Sequence, residues 1–325
     1  MWRALLPEPV SLRAPRTWAV GALLLMFALV PVHAHVFDQP FYMTQFGRIL
    51  VYAIAACSLN LLIGWTGLVS LGHAMYLAIG AYAVAILDFH GVHDGWLQLG
   101  TGLAGAAVVA LLTGVVVLRT SGMGFIMITL AFAQMFYFLG VSLKHYGGDD
   151  GMRLTQRSVL APLDLGSPTQ RYYLVLGGLV LLLYLSWRLV HARFGHVLRG
   201  IKANERRMRA LGFEATRLKL VVYVIAACVA SFAGFLLANL TGYASPSYTA
   251  WTVSGELIVM VILGGAGTVI GPLVGALALL LLKEWLAALT THWMAPLGLA
   301  ILLVVVLTRR GLYGAFLAWS RERAP

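Results

Sequence analysis

The chain has 325 residues, of which 60% are hydrophobic and 11% are charged, and its formal net charge is +11. A water-soluble domain has about 25% charged residues, so this composition excludes a water-soluble globular protein. Long apolar runs without polar alternation exclude a β-barrel and predict an all-α, polytopic bundle of transmembrane helices.

Apolar runs separated by charged or glycine-rich breaks predict ten candidate spans, of which eight to ten cross the membrane. The candidates cover residues 18–34, 45–63, 74–88, 97–118, 124–143, 172–190, 219–240, 252–264, 269–287 and 293–308. The first is followed by "VPVHAHV", which only faintly resembles a signal-peptide cleavage site. Because further spans follow, we expect an uncleaved first helix and one transmembrane domain over residues 1–325.

The second and third candidate spans are separated by "IGWTGLVSLGHA", a break that contains Gly64, Gly67 and Gly72. Irregular backbone at membrane depth persists only beside protein or water, so the break predicts a position on a transport path. Asn60 and His73 flank this break. Each of them could line the path, or could instead form hydrogen bonds between packed helices.

The turn "DFHGVHD" offers Asp88, His90, His93 and Asp94 as metal ligands, but a short external turn explains the same residues and we predict no metal site.

Small residues recur every four positions at Gly102, Ala106, Ala110 and Gly114. This spacing predicts close helix packing.

Cations concentrate between two spans in residues 188–219, which we call the basic loop. Its segment 193–219 holds eight Lys/Arg and two Glu. Four of these cations recur at intervals of three and four, and they predict one face of a single helix of about 15 residues that ends near Gly212. They are Arg199, Lys202, Arg206 and Arg209. Such a helix could lie on anionic lipid headgroups or bind a protein partner.

A second glycine-rich break, "LGGAGTVIGPLVGA", follows the eighth candidate span. Its glycines include Gly264, Gly265, Gly267 and Gly271. The G-x-x-G at 264–267 repeats the one at 64–67, which suggests an internal duplication with one broken helix in each half. We predict that both breaks line the path, although glycines four residues apart also favour close packing. Glu256, which precedes the break, could line the path or be hydrated at the outer interface.

Lysine and arginine are retained on the cytoplasmic side of a membrane. The basic loop, Arg119, the N-terminal arginines and the C-terminal arginines should therefore share that side, and ten alternating spans place both termini in the cytoplasm. The terminal arginines are Arg3, Arg13, Arg16, Arg309, Arg310, Arg321 and Arg323. Because these cations lie between spans and not on a polar domain, nucleic acid is excluded as a partner.

The sequence lacks the motifs of several enzyme classes. It contains no G-x-x-x-x-G-K-[ST] phosphate-binding loop, no H-E-x-x-H and no G-x-S-x-G. We therefore predict a non-catalytic chain with no catalytic residues, no cofactor and no ATP hydrolysis of its own. A membrane-embedded enzyme would need convergent acid, base or metal groups, which the sequence does not suggest.

Several stretches resemble the permease family of bacterial ABC importers for branched-chain amino acids. They are "SLNLLIGWTGLVSLGHAMYLAIGAYAVAIL" (58–87), "TSGMGFIMITLAFAQMFYF" (120–138), "FGHVLRGIKANERRMRALGF" (194–213), "ASPSYTAWTVSGELIVMVILGGAGTVIGPLVGA" (244–276) and "RRGLYG" (309–314). The resemblance covers most of residues 45–314, and the motifs occur in the family's order. It implies a permease that forms the translocation pathway for branched-chain amino acids across the bacterial inner membrane.

The resemblance also implies partners. They are a second homologous permease subunit, two cytoplasmic ABC ATPases and a periplasmic solute-binding protein, besides membrane lipid. In this family a short helix in the basic loop enters a cleft of the ATPase, and the matching residues are Arg199, Lys202, Asn204, Glu205, Arg206, Arg209 and Gly212. Related permeases for urea, short amides or other amino acids look much alike. An autonomous channel or secondary transporter is the alternative of a different class.

Overall fold

The computed structural model describes residues 15–39, 41–160, 163–307 and 311–315. Within them, ten apolar helices occupy the ten predicted span positions. They are α1 (Pro15–Val36), α2 (Phe41–Ile63), α3 (Ala74–Phe89), α4 (Gly95–Val117), α5 (Met123–Ser142), α6 (Pro168–His191), α9 (Ala215–Thr241), α10 (Trp251–Gly264), α11 (Gly271–Leu289) and α12 (Met294–Leu307). The prediction of an all-α helical bundle is confirmed. Arg3, Arg13, Arg309, Arg310, Arg321 and Arg323 lie outside the described residues.

Six of these helices are long and apolar enough to cross a membrane, namely α2, α4, α5, α6, α9 and α11. The other four have shorter apolar segments. Two of the short helices, α3 and α10, are short because each borders a glycine-rich break: α3 begins after the first, and α10 ends at the second. Six long helices establish a multi-pass membrane architecture.

The helix α2 lies at the centre of the bundle, since 89% of its apolar window is buried, compared with 17% for the peripheral helix α5. Close backbone contacts hold the neighbouring helices. A Cβ atom on Gly80 of α3 would lie 1.9 Å from the Ser231 carbonyl oxygen of α9, and one on Gly234 would lie 1.9 Å from the Leu77 carbonyl oxygen. Only glycine permits α3 and α9 to cross at this distance.

The predicted packing role of the small residues in α4 is confirmed. Ala106 and Ala110 are fully buried. Gly102 lies against α3 and α9, and a Cβ atom on Gly114 would lie 2.7 Å from the Leu220 side chain of α9.

The basic loop forms two helices, α7 (Arg193–Ala203) and α8 (Glu205–Ala210), so the prediction of one continuous helix was wrong. The helix breaks at Asn204, whose backbone is extended with φ −160° and ψ 97°. The Asn204 side chain accepts a hydrogen bond from the Arg207 backbone N–H at 3.0 Å and caps α8. Gly212 has φ +87° just beyond α8, as the predicted helix stop requires.

The loops opposite the basic loop contain short strands, and we call that end of the bundle the strand end. Strand β1 (Met152–Arg153) pairs with β4 (Tyr243–Ala244), and β2 (Val159–Leu160) pairs with β3 (Leu163–Asp164), both antiparallel. The pairing of β1 with β4 joins the α5–α6 loop to the α9–α10 loop.

Candidate functional site

The two glycine-rich breaks meet at Asn60. Its Nδ2 donates to the Thr268 carbonyl oxygen at 2.8 Å, and its Oδ1 accepts from the Gly267 backbone N–H at 2.9 Å. A Cβ atom on Gly64 would lie 2.6 Å from the Gly267 nitrogen. Asn60 is buried, and these two hydrogen bonds satisfy both polar atoms of its amide.

The second break is a tight turn between α10 and α11. Gly265 has φ +116° and Gly267 has φ +82°, conformations that glycine adopts readily. Thr268 Oγ1 donates to the Gly265 carbonyl oxygen at 2.8 Å and accepts from the Gly271 N–H at 3.0 Å. A Cβ atom on Gly264 would lie 1.8 Å from the Gly271 carbonyl oxygen. Gly264 and Gly271 thus permit close packing of α10 on α11.

The first break descends into the bundle before α3 begins. The Leu71 N–H donates to Thr129 Oγ1 at 3.2 Å, and a Cβ atom on Gly72 would lie 2.2 Å from the Thr129 carbonyl oxygen. Thr129 lies six residues after the start of α5, or about 9 Å along it. Farther in, the Ala74 N–H donates to Ser254 Oγ of α10 at 3.0 Å.

His73 is fully buried at the inner end of this break. Ser58 Oγ donates its hydrogen to the Ala55 carbonyl oxygen at 2.7 Å, so the His73 Nε2–H must donate to Ser58 Oγ, also at 2.7 Å. His73 therefore joins the start of α3 to α2.

Lys202 of α7 contacts the first break directly. Its Nζ donates to the Gly64 carbonyl oxygen at 2.7 Å and to the Ile63 carbonyl oxygen at 3.2 Å. These are terminal carbonyls of α2, where the helix dipole favours a cation. The stem of the lysine passes Gly67, which has φ +77°. Burial lowers the pKa of Lys202 below its usual value.

Arg199 also points towards the bundle. It donates from Nη2 to the Val190 carbonyl oxygen at 3.0 Å, and its guanidinium lies 5.4 Å from the centre of the Trp65 ring. Burial lowers the pKa of Arg199. Arg199 and Lys202 therefore hold α7 against α6 and the first break, whereas the sequence predicted a single cationic face that also includes Arg206 and Arg209.

The helix α8 is anchored to α9 by Glu205. Its carboxylate accepts from Lys219 Nζ and from Arg209 Nη2, each at 2.6 Å. Partial burial works to raise the pKa of Glu205, but the hydrogen bonds and charges of Lys219 and Arg209 outweigh it and hold the pKa below its usual value. Arg206 is exposed on α8.

Glu256 of α10 forms an ion pair with Lys283 of α11, with an Nζ–Oε1 distance of 2.8 Å. Both side chains are about one-third exposed, at 38% and 32%. This partner of Glu256 was not predicted from the sequence, although Lys283 and Glu284 stand out as charges in an otherwise apolar run.

A buried cluster of three hydroxyl groups was likewise not predicted from the sequence. The Tyr76 hydroxyl lies 3.0 Å from Thr113 Oγ1 and 3.0 Å from the Tyr223 hydroxyl. The three residues belong to α3, α4 and α9. Their hydrogen bonds connect the three helices inside the bundle.

At the strand end, Asp88 organises the long α5–α6 loop. Its buried carboxylate accepts from the Thr155 N–H at 2.6 Å, from the Thr155 hydroxyl at 2.9 Å and from the Gln156 N–H at 3.2 Å. Nearby, Ser158 N–H donates to Asn239 Oδ1 of α9 at 3.0 Å. Asp94, from the same turn as Asp88, instead caps α4 through the Trp96 N–H at 2.9 Å.

The substitution Asp88→Asn should loosen this loop, because an amide supplies one acceptor oxygen where the carboxylate supplies two. Hydrogen bonds to charged groups contribute about 1.5–3 kcal/mol each, so we expect trypsin to cleave after Arg153 or Arg157 at least tenfold faster. Asp94→Asn is the matched control, since asparagine and aspartate cap helices equally well. Equal cleavage rates in the two variants would show that Asp88 does not order the loop.

Residues 42–307 match the protein family described as the branched-chain amino acid transport system permease component. The chain belongs to this permease family. Its members are subunits of ABC transporters, so the apolar helices are those of a transport protein. No solved structure gives a significant match to the permease.

Individual relatives support the family and differ in their solutes. The permease is 27% identical over 287 residues to LivM of Salmonella typhimurium, a high-affinity branched-chain amino acid transport system permease protein, covering 81% of this chain and 68% of LivM. It is 24% identical to LivH of Escherichia coli, covering 79% and 88%. It is also 26% identical to the ribose import permease protein RbsC of Escherichia coli, covering 79% and 81%.

Proposed function

We propose that the chain is the permease subunit of an ABC importer that moves branched-chain amino acids across the bacterial inner membrane, energised by partner ATPases. Family membership and the similarity to LivM support the solute class. The observation that carries the energy coupling is the pair of hydrogen bonds from Lys202 to the end of α2, beside both breaks. RbsC is similar at nearly the same identity, which makes the solute the point to test.

The positive-inside rule places the basic loop and both termini in the cytoplasm and the strand end outside. In this orientation the 3₁₀ turn at Gly148–Asp150 and the paired strands β1 and β4 face the periplasmic solute-binding protein. Because LivM and LivH both resemble the chain, the second permease subunit is a homologue of it.

Three connections carry movement from α7 and α8 into the bundle. The helix α7 continues from α6 after one residue, Glu205 ties α8 to Lys219 of α9, and Lys202 holds the end of α2. When the ATPases close on ATP, they displace α7 and α8. The displacement shifts the first break. Because Asn60 hydrogen-bonds to the second break, that break moves with the first, and both change their position relative to the path. Gly67, Gly267 and Glu256 line that path, and the buried residues Gly64, Gly72, His73 and Gly265 support its wall.

Purification of the tagged full-length chain with its native partners tests the proposal. We expect an ABC ATPase to co-purify, and proteoliposomes of the complex with the solute-binding protein to accumulate leucine only when ATP is supplied. Leucine flux from the chain alone, driven by a gradient, would instead establish an autonomous channel or secondary transporter. Uptake of ribose, urea or short amides without leucine would overturn the solute class.

A double variant of α8 tests the ATPase contact. Arg206→Glu with Arg207→Glu reverses two exposed charges. Arginine is enriched among the interface residues whose loss costs about 2 kcal/mol or more, so ATPase recovery should fall at least tenfold. Arg119→Glu, an exposed cation in the α4–α5 turn, is the control. Normal ATPase recovery with the double variant would contradict the contact.

A further inference from the structure

Three helices bring charged and polar side chains together on one open face of the bundle. Gln45 and Arg48 come from α2, Glu256 from α10, and Lys283 and Glu284 from α11. Glu256 pairs with Lys283 at 2.8 Å, and Gln45 Nε2 donates to Glu284 Oε2 at 2.8 Å. We call these five residues the charge cluster. Arg48 follows Gln45 by three residues, so the two lie on the same side of α2.

The charge cluster lies inside the apolar helices and not at their ends. Arg48 is seven residues from the start of α2, Glu256 is five from the start of α10, and Glu284 is five from the end of α11. At about 1.5 Å per residue, these positions lie roughly 8–10 Å from the strand-end termini of their helices. The cluster therefore lies within the apolar helices, more than one helical turn from their strand-end termini.

Contact with lipid chains is unfavourable for this face. Arg48 and Glu284 are exposed, and the paired Glu256 and Lys283 remain about one-third exposed. Charged groups at membrane depth face water-filled cavities or partner groups, because hydrocarbon offers them no hydrogen bonds. The peripheral helix α5, in contrast, exposes apolar residues such as Met135 at a similar depth.

The charges of the cluster are balanced, and this balance indicates what it binds. Arg48 and Lys283 supply two positive charges, and Glu256 and Glu284 supply two negative charges. A solute that carries one charge finds as much repulsion as attraction here. A zwitterion can place its carboxylate near Arg48 or Lys283 and its ammonium group near Glu256 or Glu284.

We propose that the charge cluster lines the external entrance of the translocation path and binds the ammonium and carboxylate groups of a zwitterionic amino acid. This inference rests on the proposed function and assigns residues to it. The Glu256–Lys283 ion pair opens to receive the solute, each partner exchanging one ionic contact for another.

Thiol labelling tests whether the cluster faces water. Glu284→Cys is made in the full-length chain with Cys57→Ala and Cys228→Ala, and a charged, membrane-impermeant methanethiosulfonate is added from outside. We expect rapid labelling in the assembled complex, at least tenfold faster than Met135→Cys, the control at matched depth on α5. Absence of labelling in the complex would overturn the inference. Labelling of the isolated chain alone would identify the cluster as a permease–permease contact.

Transport kinetics test solute binding. Glu256→Gln with Lys283→Met removes both charges and keeps the side-chain volumes. We expect the KM for leucine uptake to rise about tenfold, which corresponds to 1.4 kcal/mol, with the assembled complex recovered in the same yield as the wild type. An unchanged KM would overturn the inference. Wild-type complexes are measured in parallel, so absence of wild-type uptake would count against the proposed function, whereas normal wild-type uptake with an unaltered variant KM counts against the cluster alone.

Discussion

Replacing Lys202 with methionine should reduce amino acid uptake more than tenfold while the complex still assembles and hydrolyses ATP. The substitution keeps the aliphatic stem against Gly67 but removes the hydrogen bonds to the Ile63 and Gly64 carbonyl oxygens. Charge-assisted hydrogen bonds contribute about 1.5–3 kcal/mol each. Under the proposed function, α7 then moves without the end of α2, and ATP hydrolysis no longer displaces the breaks.

The measurement compares uptake and ATP hydrolysis in the same proteoliposomes. Lys144→Met makes the same chemical change at an exposed position of the strand end and should leave both activities unaltered. Uptake within twofold of the wild type in the Lys202→Met complex would show that this lysine does not transmit movement.

Gly264→Ala should lower the thermal stability of the permease. The added Cβ atom would lie 1.8 Å from the Gly271 carbonyl oxygen and 3.0 Å from the Gly275 nitrogen, both in the backbone of α11. Backbone cannot rotate away as a flexible side chain can, so α10 and α11 must separate. Overpacking of this kind costs about 1–3 kcal/mol or more, and the separation also strains the hydrogen bonds of Asn60 to the second break.

The helix α10 supplies its own control. A Cβ atom on Gly255 would meet nothing within 4 Å, and glycine in a helix interior is about 0.5–1 kcal/mol less favourable than alanine. Gly255→Ala should therefore match or exceed the wild type in thermal stability, measured in detergent by loss of monodisperse protein. If Gly264→Ala matched it, the close crossing of α10 and α11 would be disproved.

The sequence predicted the helices well because hydropathy reports directly which segments lipid can surround. It also located both breaks, since glycine clusters interrupt apolar runs. It did not predict the division of the basic loop at Asn204. Helical periodicity continues on both sides of Asn204, and the break depends on its extended backbone and its cap on Arg207.

The site residues were harder to predict because their partners are distant in sequence. Asn60 and Gly267 are 207 positions apart, and Lys202 and Gly64 are 138 apart. Periodicity placed Lys202 with Arg206, whereas the tertiary structure turns it towards the bundle. The roles of the basic loop in binding an ATPase and of the glycine breaks in lining a path stay predictions.

The interlocked loops of the strand end determine how the bundle can deform. Asp88 with Thr155, Ser158 with Asn239, and the pairing of β1 with β4 fasten α3 and α9 to the α5–α6 loop there. Helices that are fixed at one end and displaced at the other rotate about the fixed end. The strand end should therefore act as the pivot, and displacement of α9 should grow along its length towards the basic loop.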